Sequence, residues 1–243
     1  MKRQAIEKLY EWKNSAGRKP LIIRGARQVG KTWLMKEFGR LAFKNIVYIN
    51  FDSNSDIAQL FAGNLDIPRL ISGLEIFSRN KIVPQETLLI FDEVQEAPRA
   101  LTSLKYFCEE APEYAIVAAG SLLGVAMHQG TSFPVGKVNF LDLYPMSFTE
   151  FLNATGNEQL TELLQKGDWQ LITGLKDRFI DLLRLYYYIG GMPEAVQCYL
   201  DEKDVFKVRE VQKRILDAYE QDFSKHAPAN VVARIRMVWQ SIP

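Results

Sequence analysis

Soft metal ligands are scarce in this chain, which holds two cysteines and two histidines. Cys108 and Cys198 lie far apart, with no CxxC and no Cys/His cluster around either, which argues against zinc. Both fall in apolar helical patterns, where a buried free thiol rather than a disulfide is the expected state. His128 and His226 are isolated from other ligand-type residues, so ordinary surface or core roles are expected of them. An excess of either charge is missing too. Thirty basic residues against twenty-nine acidic ones leave a net charge of +1, so no global field favours nucleic acid or an anionic membrane, and only a local basic face is left open. No apolar run approaches the roughly 20 residues of a membrane span. Met1-Lys2-Arg3-Gln4 leads straight into an amphipathic pattern without an apolar signal core. No membrane partner and a reduced, cytoplasmic setting are therefore expected. No internal repeat or low-complexity segment occurs.

What the chain does have is core-forming material, at 47% hydrophobic and 24% charged residues, enough to exclude disorder as the default. Ile6, Leu9, Tyr10 and Trp12 recur at near-helical spacing before Ala16-Gly17 breaks the pattern. Short apolar runs at Pro20–Ile23, Asn45–Phe51, Thr87–Phe91, Tyr114–Ala119 and Val138–Leu143 predict strands. Helical patterns separate them after Gly30, at 67–79 and from Pro98 to about Glu110. Apolar strands alternating with helices predict a mostly parallel sheet covered on both faces. Strand signals vanish after about Pro145, and helical patterns at 146–153, 158–166, 176–189, 193–200, 203–222 and 229–241 predict an all-α module. The division expected is an α/β core at 1–150 and a helical module at 151–243. Ile242-Pro243 follow an amphipathic helix with no polar tail, which reads as a cut before a further C-terminal domain.

Gly25-Ala26-Arg27-Gln28-Val29-Gly30-Lys31-Thr32 fits GxxxxGK[ST] between a predicted strand and a predicted helix, the context that pattern needs. Glycine lets backbone wrap closely, so that successive N–H groups and a helix N-terminus converge on phosphate oxygens. The cofactor-binding set is Gly25, Ala26, Arg27, Gln28, Val29, Gly30, Lys31, Thr32 and Trp33. Within it Lys31 reaches the β- and γ-phosphates as a point charge, and the Thr32 hydroxyl is a magnesium ligand. The plain expectation for Arg27 and Gln28 is solvated side chains. Leu88-Leu89-Ile90-Phe91-Asp92-Glu93 delivers two acids at the end of an apolar strand, where parallel sheets bind their ligands. Asp92 is the second magnesium residue, acting through water, and Glu93 the candidate general base for the water that attacks the γ-phosphate. The alternative is a pair of solvated acids.

The strand at 45–51 falls between the two motifs, which implies at least one strand inserted between the phosphate-loop strand and the Asp92 strand. That arrangement resembles the additional-strand ATPase group. In that group a polar residue at the end of the next strand touches the γ-phosphate or its water, and Ser121 fits, with Gly120 permitting close approach. A helix-capping serine is the competing reading.

Taken in order, GARQVGKT, LLIFDEVQEAP, AAGSLLG, LDLYPMSFTEFL and YIGGMPEAV resemble the prokaryotic AAA+-like ATPases with an AAA_14-type nucleotide domain, often followed by a DUF4143 domain. The likeness runs from about residue 3 to 243. It implies an ATPase with a helical or winged-helix lid and, in longer members, a nuclease-like C-terminal region through which DNA becomes a partner. It also implies that Pro193 of Gly191-Met192-Pro193 contacts nucleotide from the lid, against the ordinary use of proline to start a helix. Tyr186, Tyr187 and Tyr188 just before it are expected in the lid core rather than around adenine. One departure stands out: Gly136-Lys137 replaces the family's usual Gly-Arg, and lysine lacks the planar fork that meets a phosphate bidentately. Arg99, Arg178 and Arg184 are substitutes, although surface solvation is the simpler fate of each.

These observations add up to an Mg-ATP-binding, slowly hydrolysing AAA+-like switch with ATP/ADP as ligands and self-association in view. A small-molecule kinase would need an arginine-rich lid, and no dense arginine cluster follows residue 145. A DNA-binding module would use Lys203, Lys207, Arg209, Lys213, Arg214, Arg234 and Arg236. Asp201, Glu202, Asp204, Glu210, Asp217, Glu220 and Asp222 interrupt them, the pattern of a solvated helix face.

Overall fold

The computed structural model describes residues 1–120, 134–227 and 229–242. They fall into two compact units, Lys2–Tyr144 and Pro145–Pro243.

The first unit runs α1 (Ala5–Asn14), β1 (Leu21–Arg24), α2 (Lys31–Ala42), β2 (Asn45–Asn50), α3 (Ser55–Ala62), α4 (Ile67–Ser78), β3 (Thr87–Asp92), a 3-10 turn (Val94–Glu96), α5 (Pro98–Glu110), β4 (Ala115–Gly120) and β5 (Asn139–Asp142). The five strands pair in parallel in the order β2-β3-β4-β1-β5. The strand inserted between the phosphate-loop strand and the Asp92 strand is therefore β4, which follows Asp92 in sequence. The strand at 45–51, expected to imply that insertion, is at the sheet edge instead. Order along the chain does not fix order across a parallel sheet, because each crossover helix can carry the chain past a neighbouring strand.

Strand alternation sorts the side chains onto two faces. Ile22, Val47, Ile49, Leu89, Phe91, Ile116 and Ala118 belong to the core under α3, α4 and α5, with Phe61, Leu70, Leu74, Leu104 and Phe107. Phe51, Phe61 and Phe91 meet edge to face there, with ring centroids 5.6 to 5.8 Å apart. Each such ring contributes about 1.5–3 kcal/mol by leaving water. On the other face α2 lies close enough that a Cβ on Gly39 would come 2.8 Å from the Ile46 side chain. By the same alternation Asp92, two residues beyond Ile90, ends β3 on the α2 face.

Cys108 and Cys198 are free, but both are half-buried rather than enclosed as expected. Each stands at a helix position whose neighbours turn partly to solvent. The α3 segment had no counterpart among the sequence expectations.

The second unit runs α6 (Phe148–Ala154), α7 (Glu158–Lys166), α8 (Trp169–Gly174), α9 (Lys176–Ile189), α10 (Pro193–Glu202), α11 (Val205–His226) and α12 (Ala229–Gln240). Ser147 opens α6 with a reciprocal capping box: its hydroxyl accepts from the Glu150 amide, and the Glu150 carboxylate accepts from the Ser147 amide. Its core gathers Met146, Phe151, Ile189, Ala195, Val196, Val208, Val211 and Ile215. Of the three tyrosines expected in that core, only Tyr186 packs inward, against Phe148 and Phe151, with its hydroxyl donating to the Met146 carbonyl at 2.7 Å. Tyr187 is 73% and Tyr188 41% exposed, because consecutive helical residues point about 100° apart. Among the described residues no helix is long and apolar enough to cross a membrane.

Candidate nucleotide site

The loop from Gly25 to Gly30 joins the C-terminal end of β1 to the N-terminus of α2. Two of its residues use left-handed backbone, Gln28 at φ 64° and Gly30 at φ 93°. Alternation of this kind is how loops form anion-binding nests of amide groups. Gly25 has a different reason to be glycine. A Cβ there would sit 2.2 Å from the Leu143 carbonyl oxygen, so any side chain would force the loop off the end of β5. Val29 is fully buried and anchors the loop below. Arg3, only 6% exposed, donates to the Val29 carbonyl at 2.8 Å and to the Tyr144 carbonyl at 2.6 Å.

Lys31 starts α2 and is buried. Its ammonium donates to the Gly25 and Ala26 carbonyls at 2.9 and 2.8 Å. Burial pushes its pKa below the usual lysine range; the Glu93 and Asp92 charges oppose that, in that order, and Arg27 adds to it. Thr32 donates its hydroxyl to Asp92 Oδ2 at 2.7 Å. Trp33, the next residue, is 43% exposed, and Ala26 and Gln28 are exposed as well, while Arg27 is half-buried and takes part in further interactions.

Asp92 is 2% exposed. Three donors meet its carboxylate: the Glu93 amide on Oδ1 at 3.1 Å, Thr32 on Oδ2, and the Tyr48 hydroxyl on the same Oδ2 at 2.9 Å. Hydrogen bonds are what allow such a group to stay charged away from water. Tyr48 went unnoticed in the sequence. It precedes Asn50, which pairs with Asp92 across β2 and β3, and period-two alternation puts Tyr48 and Asp92 on one face. Burial, aided by the neighbouring Asp92 and Glu93 charges, holds the Tyr48 phenol above its usual range, so it remains a donor.

Glu93 differs from its neighbour. Its backbone is left-handed at φ 51° and ψ 44°, a conformation that costs a non-glycine residue about 1–2 kcal/mol. The 3-10 turn after it returns Gln95 to its side chain, and the Gln95 amide donates to Glu93 Oε2 at 2.7 Å. The other end of that amide, Gln95 Oε1, is buried without a partner among the described residues.

Ser121 falls outside the described residues, as does His128; Ser121 directly follows the last residue of β4. Pro193 is the first residue of α10, in the helical unit, and half-buried. Lys137 precedes β5 and is thus at the N-terminal edge of the sheet, the edge opposite the phosphate loop, where its ammonium pairs with Glu109 at 2.9 Å. Arg99 donates to the Phe61 and Gly63 carbonyls, Arg178 to Asn157 Oδ1, and Arg184 pairs with Asp181.

A parallel sheet with β4 between the loop strand and the acid-tipped strand, a glycine-bounded loop feeding Lys31 and Thr32 into α2, and Asp92 facing Thr32 define a P-loop nucleotide domain of the additional-strand type. Residues 17–152 match the AAA domain family AAA_14, and the chain belongs to it. Residues 180–243 match a second family, a domain of unknown function, DUF8612.

Among solved structures, the fold is similar to the Walker-type ATPase PABY2304 of Pyrococcus abyssi at 15% identity and a TM-score of 0.51, covering 100% of this chain and 76% of that one. It is also similar to the Drosophila ORC bound to DNA (15% identity, TM-score 0.49, 88% and 66% covered). The Aeropyrum pernix ORC2 protein in its ADPNP-ADP complexes matches at 17% identity and a TM-score of 0.42, with 63% and 49% covered. No curated protein matches the sequence.

Proposed function

We propose that the chain binds Mg-ATP at the loop around Lys31 and Thr32 and hydrolyses it slowly as a nucleotide-dependent switch. The observation that carries this reading is the 2.7 Å hydrogen bond from Thr32 to Asp92, which joins the start of α2 to the tip of β3. A threonine hydroxyl that gives its proton to a carboxylate keeps its lone pairs for a metal. The donors gathered here are hard oxygens, and Mg2+ needs only one or two of them from a protein, with phosphates and water supplying the rest. Thr32 and Asp92 are the residues that would hold it, and the ion supplies charge neutralisation on the β- and γ-phosphate oxygens.

The remaining steps fall to the chain's own groups. Gly25 through Gly30 present backbone amides to the phosphates, and Trp33 completes the binding set. Lys31, now turned onto two carbonyls of its own loop, exchanges them for phosphate oxygens and thereby places a positive charge over the developing negative one. Glu93 takes the proton of the attacking water. The Gln95 amide engages one of its oxygens, which favours a slow enzyme over a fast one. Ser121 at the β4 end is a further γ-phosphate contact on its position alone, and Pro193 a lid contact to nucleotide. Lys137 is given no part within the subunit, since its ammonium pairs with Glu109; self-association belongs to the reading, and the concentration dependence of turnover tests it. A cytoplasmic setting goes with it.

The DNA-associated alternative rests on the basic residues of α11 and α12. Lys207 pairs with Glu202, Arg214 with Glu194 and Arg236 with Glu220, which favours a solvated face over a phosphate track.

Calorimetry with ATP, with and without Mg2+, together with phosphate release by the parent and Glu93→Gln at several protein concentrations, tests the proposal. Magnesium-dependent binding by both proteins, with turnover only in the parent, is the expected result. Absence of nucleotide binding by folded protein would defeat it, and turnover that rises with concentration would point to a shared site.

A further inference from the structure

The carboxylate of Asp92 is served by one donor that no phosphate-loop motif contains. Tyr48 stands on the edge strand β2, and its hydroxyl and that of Thr32 converge on the same oxygen, Oδ2, at 2.9 and 2.7 Å. The phenol is held from three sides. The β2–β3 register fixes its position along the sheet, with Tyr48 opposite Ile90 and Asn50 opposite Asp92. The Asn50 side-chain amide approaches the Tyr48 hydroxyl at 3.4 Å, so the oxygen accepts while its proton points to Asp92. The Lys36 ammonium, one turn along α2 from Thr32, lies 3.7 Å from the Tyr48 ring centroid and packs the ring from the helix side. Chains of hydrogen bonds in which each group both accepts and donates strengthen one another.

We infer that Tyr48 is a positioning residue for the metal-binding carboxylate: its hydroxyl fixes the orientation of Asp92 so that Thr32 and Asp92 together accept Mg2+ with the nucleotide. This rests on the Mg-ATP reading above and extends it to a residue outside both motifs. With Oδ1 tied to the Glu93 amide and Oδ2 to two hydroxyls, the carboxylate has no free rotation about its χ2 bond. Take Tyr48 away and, among the described residues, Thr32 becomes the sole side-chain donor on Oδ2. Thr32 is also the group that must reorganise around an arriving ion, so orientation would then depend on a single mobile contact. Partners that orient metal-ligating groups have measurable weight in other proteins, where their loss weakens metal affinity or activity about 10- to 100-fold.

The experiment is Tyr48→Phe, which removes one oxygen and leaves the ring and its Lys36 contact. Calorimetry measures ADP and ATP affinity without metal, then the Mg2+ concentration that half-saturates the tightening of ATP binding; the same titration is repeated with Mn2+. Circular dichroism and the melting temperature report folding. The expected result is metal-free ADP affinity equal to that of the parent, with half-saturation by Mg2+ raised about 10-fold. A comparable rise is expected with Mn2+, which carboxylate and hydroxyl sites take as they take Mg2+. Equal Mg2+ demand in Tyr48→Phe and parent would overturn the inference and leave the ATP reading intact. A parallel loss of metal-free ADP affinity would overturn it too, by making Tyr48 a support of the fold. Should Tyr48→Phe fold poorly, Lys36→Met, which frees the ring while keeping the hydroxyl, is expected to show the same Mg2+ shift at a smaller size; an unchanged Mg2+ demand there would count against the inference. A parent that binds no nucleotide removes the reading on which all of this stands.

Discussion

The two units of this chain spend their apolar residues differently. In Lys2–Tyr144 four rings, Phe38, Phe61, Phe91 and Phe107, are all but completely enclosed, while Ile76 and Val135, each 80% exposed, are left on the surface. In Pro145–Pro243 Phe151 is enclosed, whereas Trp169, Tyr187, Phe206 and Met237 are each more than 70% exposed. Both units bury charge: the first encloses Lys31 and Asp92, each with partners that satisfy it, whereas in the second the buried Glu150 closes the capping box of α6. A buried charge is tolerated only when its surroundings are arranged for it, so the first unit is where chemistry is to be sought.

The strongest way to break that contrast is through the base. Glu93→Gln should lower phosphate release by about 10²- to 10⁴-fold, the usual weight of a positioned base, while calorimetric ATP affinity stays near that of the parent. Equal turnover would move the chemistry elsewhere. Next in size, Phe91→Ala should cost about 3–5 kcal/mol in a urea titration, because it opens a hole where three rings meet. Tyr187→Ser, on the exposed side of α9, should stay within about 0.5 kcal/mol. A large loss from Tyr187→Ser would show that the second unit is packed as tightly as the first.

How much of this was visible beforehand depended on where the partners of each residue lie. Lys31, Thr32, Asp92 and Glu93 were legible because strand, loop and helix are contiguous there and each motif carries its own context. The fold class was legible for the same reason, as apolar strands repeat between helical patterns. Tyr48 was not, since its partner belongs to the next strand of the sheet and register is a property of pairing. Arg3 was hidden because the Val29 and Tyr144 groups to which it donates are backbone carbonyls, which no residue type announces. Helix α3 was missed because eight residues give barely two turns of periodicity and Asn54 makes no side-chain cap. The single turn and a half of α8 failed on shortness alone, since Asp168 does cap it by accepting from the Leu171 amide.

A finer test concerns Lys31 itself. Lys31→Ala should weaken ATP binding by roughly 30-fold or more, as expected when one partner of a buried charged pair is cut away. The sign of its effect on the unliganded protein is opposite. A lysine whose folded pKa lies below its unfolded value opposes folding while protonated, and that opposition fades as pH rises through the folded value toward 10.5. Melting temperature at alkaline pH should therefore gain more in the parent than in Lys31→Met. Nucleotide affinity should fall over that same interval as the ammonium is lost. At neutral pH Lys31→Met should be as stable as the parent to within about 1 kcal/mol, the smallest of these effects. A pronounced loss of stability would mean that the two carbonyl contacts of the ammonium outweigh its burial.

Arg3 also bears on how the chain should be handled. Its guanidinium clasps a carbonyl of the phosphate loop and the carbonyl of the residue just before Pro145, so three places remote in sequence share one fastening. Removing the first three residues takes that fastening away, and deuterium should then enter the amides around Val29 sooner than in the intact chain.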